Sequence, residues 1–501
     1  MRPFEILLIL LNMLALLARF RNRSTLLWFG VVGNLLALMI HGIVEGFRYQ
    51  LAFSYVLVAL FLVHAVAKAW GLFSNVSIPR AVSISIAGLA WALLAFTAFL
   101  AYALPVFTLP QLTGAYAVGI KYVALVDDSR TDPFVDASRQ QRALMVKIYY
   151  PAKPDDAKPF SSYFHASTNL TQALARFYQM PDFLFDHLAL VKTYAKDDLA
   201  LADAQPTYPV VLFSHGAGTT MEVGTSQSED LASHGYIVVS IDHPYVSAAT
   251  VFPDRVVLAH EATTNFDTPE PAEPITQIMA DDDAFVIDQL GEMNQGRLDP
   301  AFSGKLDLDH IGVMGHSVGG AVAYTMALND SRVKAAIDLD GVVYSDPQDA
   351  RRMAPFLMLA NDRYHVQAIR NRKNLMPTFD STPEGQQAVQ DLYGSALTYQ
   401  AAYAKAQQHL IGLAEVLQAS GNLYTIEGSD HMKFTDIGLF IGSAWLREAL
   451  QIGGDTDPAR CLEITQSLTV AFFDQHLKGQ AADAMMALVK TYPELKNVNL
   501  K

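Results

Sequence analysis

Gly315-His316-Ser317-Val318-Gly319 sets a serine between two glycines in the pattern G-x-S-x-G. A nucleophilic serine needs such neighbours when it stands on a strained strand-to-helix turn, where there is little room on either side. Residues 311–314 (IGVM) read as a buried strand before the motif, and 319–328 (GGAVAYTMAL) as a small-residue helix after it. A serine hydroxyl is a poor nucleophile near neutral pH. It needs a base within hydrogen-bond reach, itself oriented by a carboxylate. For this turn the chain order is serine, acid, histidine. Of 14 histidines, only His365, His409, His431 and His476 follow a candidate acid. His409 and His476 fall within helical patterns, and His365 follows a strand that comes too early to be the last. His431 follows the strand 423–426 (LYTI) through the loop 427–430 (EGSD) and is the expected base.

Position leaves the acid open. Asp340 ends the strand after the nucleophile helix, where Gly341 lets the chain turn away, and Asp362 ends the next strand. Asp338 would lie deeper in the sheet, where an unpaired carboxylate is costly to bury. Two backbone N–H donors must receive the oxyanion. Val318 follows the nucleophile, and Ala217 lies in the glycine-rich turn 213–218 (FSHGAG), so these two are the expected donors. The chemistry is acyl transfer from an ester through an acyl-enzyme, which calls for no metal and no organic cofactor.

The elements that must position these groups alternate. Residues 208–213 (YPVVLF), 236–241 (YIVVSI), 311–314, 333–339, 355–360 and 423–426 are near-continuous apolar runs, as strands buried on both faces of a parallel sheet read. Residues 144–150 form a further strand, stopped by Pro151. Helical stretches lie between, at 226–234, 280–293 and 321–328. Strands alternating with helices predict a doubly wound, mostly parallel α/β sheet of the α/β-hydrolase type over 108–501. The acid-rich stretch 267–274 reads as a surface loop. Residues 367–420 exceed a minimal fold; 397–417 is strongly helical, and the insertion is read as a lid or as a helical decoration.

Residues 1–107 read differently. The chain has 501 residues, of which 17% are charged, against about 25% in a usual globular domain; the dilution is confined to this segment. Apolar runs at 4–18, 26–44, 51–67 and 81–104 predict about four transmembrane helices. The first is no signal peptide, since its arginines (Arg19, Arg21, Arg23) follow the apolar run. Arg19, Arg21, Arg23, Lys68 and Arg80 place two basic loops in the cytoplasm. The catalytic part is then expected beyond the membrane, periplasmic or extracellular in a bacterium. His41 is read as interfacial and His64 as packed between helices, with no charged relay beside them.

A net charge of −14 argues against nucleic acid as a partner, and one cysteine, Cys461, excludes an intramolecular disulfide framework and a Cys-based metal site. The oligomeric state is not legible.

Four blocks resemble the platelet-activating factor acetylhydrolases of the plasma and isoform II type, including bacterial relatives. They are DSRTDPF with LMVKIYYPA, PVVLFSHGAG with LASHGYIVVSIDHP, HIGVMGHSVGGA with AAIDLDG, and GSDHMKFTD with LTVAFFDQHLKG. The pattern His431-x-x-Phe434-x-Asp436 is the most specific. The resemblance implies Ser317, Asp340 and His431 as the triad and the N–H groups of Ala217 and Val318 as the oxyanion hole. It also implies an esterase of the 1-alkyl-2-acetylglycerophosphocholine kind, with short or oxidised acyl chains of phospholipids as substrates. The amino-terminal segment and the length of 367–420 depart from that family. A cutinase-like or general carboxylesterase is the enzyme alternative; an inactive membrane-tethered scaffold is the alternative of another class, and a transporter or receptor ranks last.

Overall fold

A computed structural model describes residues 1–20, 24–72, 79–135, 140–260, 263, 272–346, 353–379, 382–450, 452–481 and 483–500. Arg21, Arg23 and most of the acid-rich stretch (267–271) lie outside the described residues.

Each of the four amino-terminal apolar runs is a helix: α1 (Pro3–Phe20), α2 (Ser24–Val44), α3 (Ala52–Ala69) and α4 (Arg80–Ala103). Two segments, Tyr49–Ala69 and Arg80–Ala103, are long and apolar enough to cross a membrane, while Pro3–Ala18 and Trp28–Val44 are shorter apolar helices. The bundle buries its polar groups. Glu5, Asn12, Asn34, His41, Arg48 and Ser54 lie inside it, whereas Leu10, Leu14, Phe29, Leu36, Leu60 and Phe96 are exposed. Arg48 Nη2 donates to Glu5 (2.7 Å), and His41 lies between Glu45 (2.9 Å) and Tyr55 (2.8 Å). Charged neighbours therefore do accompany His41, which is buried in the last turn of α2. His64, expected between helices, is exposed on α3. Helix packing, invisible in a linear scan, produces both differences.

The remainder is an α/β domain around a ten-stranded sheet. Its strands are β1 (Ala117–Thr131), β2 (Gln141–Ala152), β3 (Lys196–Asp197), β4 (Tyr208–Ser214) and β5 (Ile237–Asp242), then β8 (Leu306–His316), β9 (Val333–Leu339), β10 (Phe356–Leu359), β11 (Leu423–Ile426) and β12 (Leu495–Asn497); β6 (Ala249–Val251) and β7 (Val256–Leu258) form a separate hairpin. The spatial order is β12-β11-β10-β9-β8-β4-β5-β2-β1-β3. The block from β11 to β5 is parallel; β2 and β12 pair antiparallel at its two sides. β1 and β12 were not expected: β1 is half exposed with charged residues along it, and β12 is three residues long.

Helices cover both faces, so the core is two apolar layers either side of the sheet. On one face pack α7 (Ala272–Asn294), α8 (Val318–Asn329) and the inner side of α11 (Ala396–Ser420). On the other lie α6 (Thr225–Ser233), α12 (Pro458–Leu477) and α13 (Asp483–Thr491). The segment 108–180 also supplies α5 (Ser167–Phe177). The insertion is helical, comprising α9 (His365–Asn371), α10 (Pro383–Tyr393) and α11. Ser395 caps α11, accepting from Thr398 N–H at 3.1 Å, and Gly421 ends it at φ +70°, the left-handed stop that glycine takes without strain.

Candidate active site

Because β11, β10, β9, β8 and β4 are parallel neighbours, the loops after them emerge side by side along one edge. They carry, in that order, His431, Asn361 with His365, Asp340, Ser317 and Ala217. Ligands of open parallel α/β sheets bind along this carboxyl edge.

Ser317 joins β8 to α8 at φ +57°, ψ −120°. A non-glycine residue there costs on the order of 1–3 kcal/mol and persists only where its surroundings over-determine it. The surroundings are tight. A Cβ on Gly319 would strike the Ser214 carbonyl, and one on Gly315 the Gly319 carbonyl, which is the physical reason for both glycines of the motif. Val318 is the first residue of α8 and has no intrahelical acceptor for its N–H. Ala217 lies in the turn after β4, next to Gly218 at φ +65°. That turn is pinned from several sides: Gly218 N–H donates to Val246 O (3.0 Å), Tyr178 Oη to Gly218 O (2.8 Å), and Met221 N–H to Asp242 (2.8 Å). Under it lies a buried polar layer in which Ser214 Oγ is 2.9 Å from Asp283 and 3.1 Å from His243, whose Nδ1 donates to Asp282 at 3.0 Å. This serine–histidine–aspartate set is sealed from solvent and supports the turn.

His431 Nδ1 donates to Asp340 Oδ2 at 2.7 Å. The His431 ring lies against the elbow, 4.5 Å between centroids from the His316 ring, and His316 Nε2 donates to the His431 carbonyl at 2.9 Å. Burial, with His431 beside it, pushes His316 down to about 3, so it is a neutral spacer. Asp340 stands at φ +62°, a conformation aspartate tolerates. It also accepts from Asn361 N–H (2.8 Å), Asn361 Nδ2 (2.9 and 2.7 Å) and His365 Nδ1 (2.9 Å). Burial alone would raise this carboxyl; the hydrogen bonds from His365 and His431 outweigh it and hold it well below the usual carboxylate range. Asp340 is thus a permanent anion.

The other two aspartates face elsewhere. Asp362 accepts from Gly428 N–H at 2.9 Å. Asp338 accepts from Gly341 N–H at 2.6 Å and is otherwise enclosed; burial pushes its carboxyl well above the usual carboxylate range. His409 lies on α11, 3.9 Å from Asp346, and His476 lies on α12 against Phe472. Sequence reasoning missed Asn361 and gave His365 no role. The signal was topological: β9 and β10 are adjacent, so the first residues after β10 must border whatever follows β9.

Fold and site together define an α/β-hydrolase that acts as a carboxylic ester hydrolase. The family model of platelet-activating factor acetylhydrolase, isoform II, matches residues 103–268 and 288–490. The chain belongs to that family. A platelet-activating factor acetylhydrolase of Cavia porcellus is 23% identical over 394 residues, covering 74% of this chain and 78% of the relative. One from Canis lupus familiaris is 23% identical over 397 residues, covering 74% and 77%. Among solved structures, a ferulic acid esterase from Streptomyces cinnamoneus matches with a TM-score of 0.54 at 25% identity, covering 77% of this chain and 97% of that one.

Proposed function

We propose that the protein is a membrane-anchored serine esterase that cleaves lipid esters, notably phospholipids with short or oxidised acyl chains, through an acyl-enzyme on Ser317. Ser317 Oγ attacks the ester carbonyl while His431 takes its proton. The N–H groups of Ala217 and Val318 receive the oxyanion, and His431 returns the proton to the departing alcohol. Water, deprotonated by His431, then releases the acid. Asp340 holds the imidazole in the tautomer with hydrogen on Nδ1 and stabilises the imidazolium.

The observation that carries this reading is the 2.7 Å contact between His431 and Asp340 beside the strained Ser317 turn. The family's acetylhydrolases supply the substrate class. Anchoring is supported by the inverted polarity of α1–α4: a bundle with polar groups inside and leucine, phenylalanine and isoleucine outside suits a hydrocarbon solvent. The orientation is supported by the distribution of loop cations along the sequence. Arg2 and Arg48, on the catalytic side, are paired with Glu5, whereas the cytoplasmic loops keep the basic excess. The catalytic domain then sits beyond the inner membrane of a bacterium, its edge against the bundle, where Gln50 Nε2 donates to Phe183 O (2.9 Å) and Gly442 N–H to Ala103 O (2.9 Å).

The test is hydrolysis by the full-length protein of vesicle phosphatidylcholines differing only in the second acyl chain. Acetyl and oxidatively shortened chains are released and oleoyl is not; equal release of all three sinks the substrate class.

A further inference from the structure

The turn that carries Ala217 is held from outside the catalytic edge. A Cβ on Gly216 would come 3.0 Å from the Ser317 Cβ, so the turn lies directly against the nucleophile. One residue beyond Ala217, the Gly218 carbonyl accepts from Tyr178 Oη at 2.8 Å. Tyr178 follows the last residue of α5 and is 45% exposed. At that exposure its hydroxyl has water as an alternative partner, and the hydrogen bond alone holds the ring only weakly. Phe185 supplies a second hold. It stacks in parallel on Tyr178, 5.9 Å between centroids and 5° between planes, while Phe177 meets Tyr178 edge-on at 4.9 Å.

Phe185 is set in turn by the helical bundle. It lies between two short 3-10 turns, Asp182–Leu184 and Asp186–Leu190, and the link between α2 and α3 grips that run. Gln50, itself buried, spends its amide nitrogen there: Nε2 donates to Phe183 O at 2.9 Å and to His187 Nδ1 at 3.1 Å. Burial pushes His187 down to about 3, so its ring stays neutral and accepts. Gly46 packs on Leu190 at the end of the run, where a Cβ would come 2.9 Å from a side-chain methyl. Phe183 and His187 flank Phe185 two residues to either side, so the two hydrogen bonds fix the backbone from which its ring projects. The contacts from bundle to site thus run from Gln50 through the 183–187 backbone to Phe185, Tyr178 and Gly218.

We infer that the bundle braces the oxyanion hole, with Tyr178 as a positioning residue for the Ala217 N–H and Gln50 as the bundle's hold on Tyr178. An oxyanion donor acts over a narrow range of distance, roughly 2.7–3.1 Å, and a misplacement of about 1 Å can cost on the order of 10²-fold in rate. The other ties of the turn, to Val246 and Asp242, run to loops of the domain itself; Tyr178 is the tie that leads to the bundle. The brace rests on the serine-esterase reading and on Ala217 as one of its two oxyanion donors.

The test measures kcat and KM of the full-length protein in detergent micelles on p-nitrophenyl butyrate, with Ki for an alkyl trifluoromethyl ketone, whose hemiketal oxyanion occupies the hole. Tyr178→Phe lowers kcat about tenfold and raises Ki by the same factor, with KM within about twofold, as loss of an interaction made only in the transition state requires. Phe185→Ala does the same, whereas Phe185→Tyr, which keeps the stacked ring, stays near wild type in both. Gln50→Met lowers kcat about threefold or more, and adding it to Tyr178→Phe costs nothing further, because the two act along one path. Gln50→Leu serves if the methionine variant melts early. Unchanged Ki in folded Tyr178→Phe overturns the positioning role whatever kcat does, as does a loss confined to KM. No loss in either folded Gln50 variant, or losses that multiply in the double variant, overturn the bundle's part. Absence of hydrolysis of any ester by the wild type overturns the esterase reading itself.

Discussion

The two halves of the chain bury opposite things. In the α/β domain the two enclosed layers are apolar, with Val210, Leu212, Val239, Ile311 and Ile337 fully buried, and enclosed charges such as Arg142, Asp282 and Asp340 sit in hydrogen-bonded sets. In α1–α4 the exterior is Leu10, Phe29, Leu60 and Phe96, and the interior holds Glu5, His41 and Arg48. With the bundle in the proposed membrane, the rule is the same in both: each half hides what its surroundings solvate poorly. The difference teaches that a buried charge needs a separate account in each half. In the domain, the buried Asp340 anion is held by three residues at the reaction edge. In the bundle, Glu5 and Arg48 neutralise each other where no substrate chemistry is proposed.

Substitutions can break that contrast, beginning with the largest effect. His431→Ala should lower kcat by about 10⁶, as removal of the base does in a serine triad, and Asp340→Asn by about 10⁴, measured on p-nitrophenyl butyrate. Asp362→Asn should stay within about threefold of wild type, because its partner is a backbone N–H of the loop; a deeper loss there would move the acid away from Asp340.

Next comes the bundle. Glu5→Ala leaves Arg48 buried without its partner and should cost about 3–5 kcal/mol, whereas Glu5→Leu with Arg48→Met should be neutral or stabilising. Unfolding in detergent checks this, and catalysis in the folded fraction should be unaffected by either change. A smaller contrast compares exposed leucines. Leu60→Arg on α3 should cost about 2.5–3.5 kcal/mol in membrane insertion, while Leu298→Arg on the domain should stay within about 0.5 kcal/mol; equal tolerance would place the bundle in water.

The smallest effect concerns pH. Burial pushes the Asp436 carboxyl, which accepts from Ser226 and Tyr163, up to about 7. Unfolded, it ionises near about 3.9, so between those values the folded state holds the extra proton. Its stabilisation is complete below about pH 4 and is lost as pH rises through about 7. The melting temperature of Asp436→Asn should therefore fall less than that of wild type between pH 5 and pH 8. Parallel curves would remove Asp436 from the account.

Much of this was legible in the sequence. The parallel strands announced themselves as apolar runs, and the elbow through its glycines, because full burial and tight turns leave few residue choices. β1 escaped notice because its exposed positions carry charges, and β12 because it is too short for a period. The Asp340–Asp362 ambiguity could not be resolved from position, since both follow adjacent parallel strands; only side-chain direction separates them. Asn361 and His365 were hidden for the same reason, because their role depends on which strand lies next to which. The charged interior of the bundle depends on packing between Glu5 and Arg48, 43 residues apart, which no local window contains.

The central claim is that Ser317 is the nucleophile, and fluorophosphonate labelling of the full-length protein in native membranes tests it most directly. Wild type should take up one covalent label on Ser317, and folded Ser317→Ala none. Equal labelling of the two would contradict the account.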